Sequence, residues 1–333
     1  MQISRKTMVA GAASAYATAG VVRFAASAAE FTYKWGIEFA LTHPMGLRAK
    51  EAVDKIAQES GGRLEIRLFP SESLGNNASM LTQVRAGALE CSTIAGSHIS
   101  ELVPVAGITS VPFIFDSYKQ AWGTVDGPCG AYIRDAIRKA NLYVFEKEGD
   151  AGFHQLVNSV RPVTKPDDLK GMKIGVSPNL FTTYKAFGAT PVLNSAQLYV
   201  QIQTHLFDGS DIGLTSIDSF KLYEVCKYVS MLNIDWSGLI TVANPEAMER
   251  LPKNLRNLVE TRVNESIVLE RNDVARIDST LVAPLKSRGL AFNQADVAAF
   301  KAVVLAAGLY SQWRDQYGAT AWAALEKSRG TLQ

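Results

Sequence analysis

Hydrophobic and polar positions divide the chain into recognisable elements. The stretch Phe31 to Glu38 reads as a strand entering a core. Leu64, Ile66 and Leu68 alternate with Glu65 and Arg67, the period-two pattern of a half-buried strand. Between them His43-Pro44 breaks the chain. Met45, Ala49, Ala52, Val53, Ile56 and Ala57 then recur at helical spacing, so a helix is expected from about Met45 to Ser60, closed by Gly61-Gly62. Pro70 to Asn77 reads as a loop, Ala78 to Ala86 as a second helix and Glu90 to Ala95 as a strand. A strand–helix–strand–helix–strand order implies a parallel sheet with helices on its faces.

Further along, Val111-Pro112-Phe113-Ile114-Phe115 is an apolar, buried segment. Asn141 to Glu146 and Gly152 to Val157 read as two strands, and Pro162 to Gly171 as a turn. Lys173 to Val176 opens a second strand–helix cycle. Helices are expected near Leu180 to Gly188, Ala196 to Phe207 and Ser219 to Val225. After Pro252 the pattern is helical to about Ser287 and again from Gln294 onward. Two α/β cycles joined by extended segments predict two sheet-based lobes. In such folds a ligand sits at the carboxyl ends of the strands, in the crevice between lobes.

The N-terminus predicts export. Arg5 and Lys6 precede an Ala/Gly-rich apolar run of 15 residues, Met8 to Val22, and Ala26-Ser27-Ala28 offers a small-residue cleavage site. The run is shorter than the roughly 20 residues of a membrane-spanning helix. Residues 1–29 are therefore read as an export signal, with Ser4-Arg5-Lys6 like a relaxed twin-arginine motif. No cysteine follows the run to carry a lipid anchor, so the mature chain, 30–333, is expected free in the periplasm and monomeric. Lobe I is placed at about 30–150 together with C-terminal helical parts, lobe II at about 151–240, and hinge segments between them.

Composition narrows the function further. Lysine and arginine number 34 against 32 acidic residues, scattered rather than clustered, which argues against a nucleic-acid partner. Cys91, Cys129 and Cys226 lie far apart and read as buried thiols. No phosphate-loop, dinucleotide, zinc-protease or serine-hydrolase motif occurs, and the four histidines have no metal-ligand spacing. Neither catalysis nor a metal or cofactor is expected.

Several segments, in order, resemble the solute-binding subunits of tripartite ATP-independent periplasmic (TRAP) transporters. They are Ser60-Gly61-Gly62-Arg63 through Phe69-Pro70 and Leu74-Gly75, then Val111 to Phe115, then Arg161-Pro162-Val163 with Pro166-Asp167-Asp168-Leu169-Lys170-Gly171-Met172-Lys173-Ile174. Gly188-Ala189-Thr190-Pro191, Tyr199 and Asp208-Gly209 follow. The resemblance implies a two-lobed α/β periplasmic-binding-protein fold braced by long C-terminal helices and closed by ligand. It also implies a small and a large integral membrane partner, with uptake driven by an ion gradient.

Three positions depart from what the resemblance implies. Family members commonly hold a substrate carboxylate with arginines where this chain has Gly175 and His154, and with an asparagine where it has Ile212. Leaving a desolvated carboxylate without its charged partner costs roughly 3–5 kcal/mol, about two to four orders of magnitude in affinity. His154 is either a substitute donor or a packed strand histidine. Gly175 either leaves room for a larger ligand or is filled by a neighbour. By position, Thr42, His43, Asn76, Asn77, Gly96, Ser97, Ser177, Phe181, Asn194, Ser195 and Trp236 are further candidates for the crevice. Asn77, Asn194 and Ser195 serve equally well as helix caps. An organic acid, with an aromatic one suggested by the stacking face that Trp236 offers, is the first expectation for the ligand. A neutral or amine-bearing solute, with Asp211 and Asp235 as counter-charges, is the alternative. The binding protein of an ATP-driven importer and a ligand-presenting sensor protein are other classes open to such a clamp.

Overall fold

The computed structural model describes residues 28–194 and 197–332; the expected signal, up to residue 27, and Ser195 lie outside them. Ten strands are present among these residues. They are β1 (Phe31–Ile37), β2 (Leu64–Phe69), β3 (Cys91–Ala95), β4 (Tyr143–Asn158) and β5 (Lys173–Val176), then β6 (Thr190–Leu193), β7 (Gly209–Gly213), β8 (Tyr228–Met231), β9 (Trp236–Ala243) and β10 (Ala291–Gln294). Their order is β2-β1-β3-β9-β4-β7-β5-β6, with β8 pairing both β4 and β10. No described helix is long and apolar enough to cross a membrane.

The two sheets share one strand. The first part of β4 runs antiparallel to β9, from Tyr143 opposite Ala243 to Phe153 opposite Trp236. Its last residues, His154 to Asn158, pair antiparallel with β7, and Leu156 to Asn158 also pair with β8. One lobe therefore carries β1, β2, β3 and β9, the other β5, β6, β7, β8 and β10, with β4 passing between. A helix of 35 residues, Lys253–Ser287, spans both, packing on the Pro44–Glu59 helix, on β4 and on the short Leu214–Ser219 helix. Its two ends explain its reach: Leu255, Val259, Val263 and Ile267 join the core under β1, whereas Leu281 and Leu285 join the core under β7.

The strand–helix pattern at the start of the chain corresponds to β1, the Pro44–Glu59 helix, β2, the Asn77–Arg85 helix and β3. Other expectations are corrected. The sheet is mixed: β1 is parallel to β2 and β3, but β9 and β4 run antiparallel to their neighbours. The two strands expected at 141–146 and 152–157 are one strand of 16 residues. The polar residues Glu148 and Asp150 between them are interior, buried against the long helix, while Glu146 is exposed. The helix expected at 219–225 ends instead at Ser219; Lys221 adopts a left-handed φ of 54° and only a three-residue turn, Leu222–Glu224, follows. The helix expected at 196–207 shortens to Leu198–Gln203.

The crossover of β4 is dense in buried acid. Asp150 accepts from the Trp122 indole and from the Gly152 amide, each at 2.6 Å. Its own amide donates to Glu270 at 3.0 Å, and Tyr118 donates to Asp278. Arg271 donates to the Glu148 carbonyl at 2.5 Å and pairs with Asp126 at 2.9 Å. Burial pushes Glu148 up to about 7, Asp150 to about 6 and Asp278 to about 7. Gly213, opposite His154, lets the strands approach: a Cβ there would lie 2.1 Å from the Ala151 carbonyl oxygen.

These packing details set the outcome of several measurements. Gly213→Ala should destabilise the protein by about 1–3 kcal/mol in urea unfolding. Gly123→Ala, on an exposed helix face with nothing within 4 Å of the new methyl, should stabilise it by about 0.5–1 kcal/mol. For the carboxyls, the folded state holds protons that the unfolded chain has released, so stability declines as pH rises from the ordinary carboxyl range through about 7. The urea midpoint should therefore be lower at pH 8 than at pH 5, and Asp278→Asn should flatten that slope; an unchanged midpoint in the parent protein would contradict the burial argument.

Candidate ligand-binding cleft

A cavity of about 40 Å³ lies where the two sheets meet. The end of β1 brings Glu38 and Phe39 to it, and the end of β3 brings Ala95 and His98. From β4 come Ala151 and His154, and from β9 Ser237 and Leu239. The second lobe supplies Ser177 after β5, Asn194 after β6, Asp211 and Ile212 on β7, and Ser216 and Phe220 at the helix that follows. Strand ends from both lobes converge here, as expected of a crevice at carboxyl edges. A cavity of this size accommodates little more than water, and is well below the roughly 300 Å³ at which ordinary ligand pockets begin. Entry of a solute therefore requires the lobes to part.

His154 is the electrostatic centre of the cleft. Register places it opposite Gly213, so Asp211, two residues earlier on β7, is its diagonal neighbour on the same face. Nδ1 lies 2.6 Å from Asp211 and 3.2 Å from Asp235. Backbone bonds hold the third partner: the His154 amide donates to the Asp235 carbonyl at 2.9 Å, and Ile234 donates to the His154 carbonyl at 3.2 Å. Tyr184 donates to the other Asp211 oxygen at 2.5 Å. Burial opposes charge on the ring, but Asp235 and Asp211 outweigh it and hold the His154 pKa well above the ordinary value. The imidazole is hydrogen-bonded to Asp211 and within ion-pair distance of Asp235, whose Oδ1 has no hydrogen-bond partner among the described residues, and the three side chains lie close enough together to hold a metal ion. Asp211 is pushed up by burial, against the pull of His154.

On the first lobe, Glu38 accepts from the Asn77 amide at 2.8 Å. Burial raises its carboxyl above the usual range, while Asn77 and the more distant His154 pull it back. His98 is held below its ordinary value by burial and is neutral near pH 7. Phe39 and Phe220, one from each lobe, lie nearly parallel with centroids 6.3 Å apart. Ser216 is buried, and its hydroxyl has no partner among the described residues.

Of the residues singled out from the sequence, His154, Ser177, Asn194, Asp211 and Ile212 line this cavity. Thr42 lines a separate groove of about 230 Å³ with Thr215, Asp218 and Arg288. His43 is fully buried; its Nδ1 caps the Pro44–Glu59 helix at the Met45 amide, 3.1 Å away, and its ring stacks on Phe39. Asn76 caps the next helix through Ser79, and Asn77 reaches the cavity only through Glu38. Gly96 and Ser97 are turned into the protein, and the neighbouring His98 faces the cavity instead. Phe181 packs on the core at the start of its helix. Trp236 does not follow a strand but begins β9; it is fully buried, edge-on to Phe115 at 6.0 Å, and offers no stacking face to the cavity. Gly175 leaves no ligand space: a Cβ would lie 2.3 Å from the Asn194 side-chain oxygen and about as close as van der Waals contact permits to Phe207. Glu38, Phe39, His98, Ser216, Phe220 and Ser237 were missed. Their only sequence signal was position at or just beyond a strand end, and for Ser216, Phe220 and Ser237 those elements were not foreseen.

Comparison with known proteins agrees with this architecture. Residues 36–312 match the family model described as bacterial extracellular solute-binding protein, family 7. The 2,3-diketo-L-gulonate-binding periplasmic protein of Escherichia coli K12 is 28% identical over 276 residues, covering 82% of this chain and 84% of that one. A TRAP periplasmic solute-binding protein from Sulfurospirillum deleyianum, solved with bound succinate, superposes with a TM-score of 0.83 at 23% identity, over 90% of this chain and 98% of that one. A second, from Polaromonas sp. JS666 with bound D-erythronate, gives 0.83 at 22% identity, over 89% and 98%. With the match extending from β1 into the last helices, this chain belongs to family 7 of the bacterial extracellular solute-binding proteins, the TRAP solute-binding family.

Proposed function

We propose that this protein is a periplasmic receptor that captures one small polar solute between its lobes and delivers it to a small and a large membrane subunit of an ion-gradient-driven transporter, without chemistry on the solute. The observation that carries the reading is the cavity itself. Its walls come from both lobes, and β4 is the strand that both sheets share. A solute touching Glu38 on one side and Ser216 or Asn194 on the other binds the closed form better than the open one, and that difference alone drives closure. The lobes are taken as about 30–150 with C-terminal helical parts and about 151–240. Residues 1–29 are taken as the removed export signal, and the mature chain as a monomer in the periplasm. Organic acids fit the relatives: the Escherichia coli protein is named for 2,3-diketo-L-gulonate, and the two neighbours hold succinate and D-erythronate. Here an acid would have His154, Asn194 and serine hydroxyls as donors. The charge on the described lining favours a different class, argued below.

The role assigned to His154 is to hold Asp211 and Asp235 together where the lobes join. His154→Leu leaves two buried carboxylates facing each other, so it should cost about 3–5 kcal/mol in urea unfolding. Adding Asp211→Asn should recover part of that loss; an additive double variant would show that the pair is not coupled. The receptor reading is tested by small-angle scattering of the mature protein with and without a solute that raises its melting temperature. Binding should lower the radius of gyration. Stabilisation with unchanged dimensions would sink the clamp.

A further inference from the structure

We infer that the captured solute carries a cationic nitrogen, an ammonium or alkylated ammonium group, seated against Glu38 between Phe39 and Phe220; the inference rests on the receptor reading above. Four ionisable groups face the cavity among the described residues: Glu38, His98, His154 and Asp211. None is a lysine or arginine. His98 is neutral, and the one cation, His154, is already matched by Asp211 and Asp235. Acidic side chains thus outnumber basic ones here: Asp211, Asp235 and Glu38 stand against His154 alone. An anionic solute would enter against that balance, whereas a cation corrects it.

Glu38 is the group left to be matched. Its recorded side-chain partner is the neutral Asn77 amide, and no lysine, arginine or histidine lies within ion-pair distance of it among the described residues. Glu38 is half-buried, and a carboxylate partly removed from water gains when a positive charge arrives beside it. Two aromatic rings stand at the same cavity, almost parallel and contributed by opposite lobes. Ring faces attract a desolvated cation and do nothing comparable for a carboxylate. At 6.3 Å between centroids they are too close to hold a group between them, so parting and reclosing of the lobes would seat the nitrogen and register its presence in both. The unpartnered Ser216 hydroxyl is an independent sign of a polar ligand group on the second lobe.

Isothermal titration of the mature protein should be run with ethanolamine, γ-aminobutyrate, glycine betaine and putrescine, and with succinate, D-erythronate and D-glucuronate as amine-free acids. In parallel, the protein should be equilibrated with a cell metabolite extract, washed, denatured, and the released solute identified by mass spectrometry. The expected results are a nitrogen cation in the released solute and binding of at least one amine probe. Glu38→Gln should weaken that binding at least tenfold with the melting temperature of the free protein maintained or raised. Phe220→Leu should weaken an alkylated ammonium more than a primary one. Release or binding of an amine-free acid, undiminished by Glu38→Gln, overturns the cation assignment and leaves the receptor standing. Enrichment of no solute from the extract, with no probe bound, overturns the receptor reading and this inference with it.

Discussion

One imidazole held between two carboxylates determines how the two halves of the molecule meet. His154 lies on the strand that both sheets share, Asp211 on its neighbour in the second lobe, and Asp235 on the segment leading into β9 of the first. Three elements are thus tied at one buried point, in the wall of the cavity. Separating them leaves charge without a partner in a poorly solvated place, which is unfavourable by several kcal/mol. In a clamp of the kind proposed, this fixed point would confine lobe motion to what β4 permits. The glycine opposite His154 and the left-handed Gly152, φ 88°, give the backbone room to bend there.

The acids around the crossover belong to the same design. Glu148, Asp150, Glu270 and Asp278 are concentrated where β4 meets the long helix, and burial raises each of them. Their partners lie on two elements: the Trp122 indole and Tyr118 on the Tyr118–Asp126 helix, and the Gly152 amide on β4 itself. Hydrogen bonds of this kind are directional, so they fix the helix against the strand in one register, which apolar packing alone does not do. The long helix can then move with both lobes as a brace, its two ends sitting in different cores.

How much of this was legible in the sequence depended on which patterns were local. The first lobe opens with alternation, helical spacing and glycine stops, and β1, β2, β3 and the two helices between them lie within a few residues of expectation. The Arg161 to Ile174 run marked the family because its turn chemistry is written in consecutive residues. Legibility failed where a strand is buried on both faces or built from small polar residues. β7, Gly209-Ser210-Asp211-Ile212-Gly213, has no alternation to read. The middle of β4 looked like a polar break because the Asp150 amide and the Glu148 carbonyl find their partners more than a hundred residues away on the long helix. The site suffered likewise. His154 and Asp211 were noticed separately, but their pairing depends on the register between strands 57 residues apart. Glu38 was passed over as the tail of a strand, and Trp236 was singled out for its chemistry although tertiary packing encloses it.

The three departures from the family pattern are physically linked, which bears on how such a pocket changes its ligand. At Gly175 the space of a long side chain is taken by the Asn194 amide and Phe207, and Asn194 in turn accepts from Ser210 at 3.1 Å. At 154 the imidazolium cannot act as a free cation, because Asp211 and Asp235 already match it. At 212 an isoleucine faces the cavity where an amide would donate. Restoring an arginine at 175 alone would displace Asn194 and loosen Ser210 while leaving Glu38 opposite. Restoring one at 154 would place a larger cation between two carboxylates that already hold their own. The pocket's charge is therefore a property of the set of residues, and a single substitution is expected to break its internal pairing before it creates a seat for an acid.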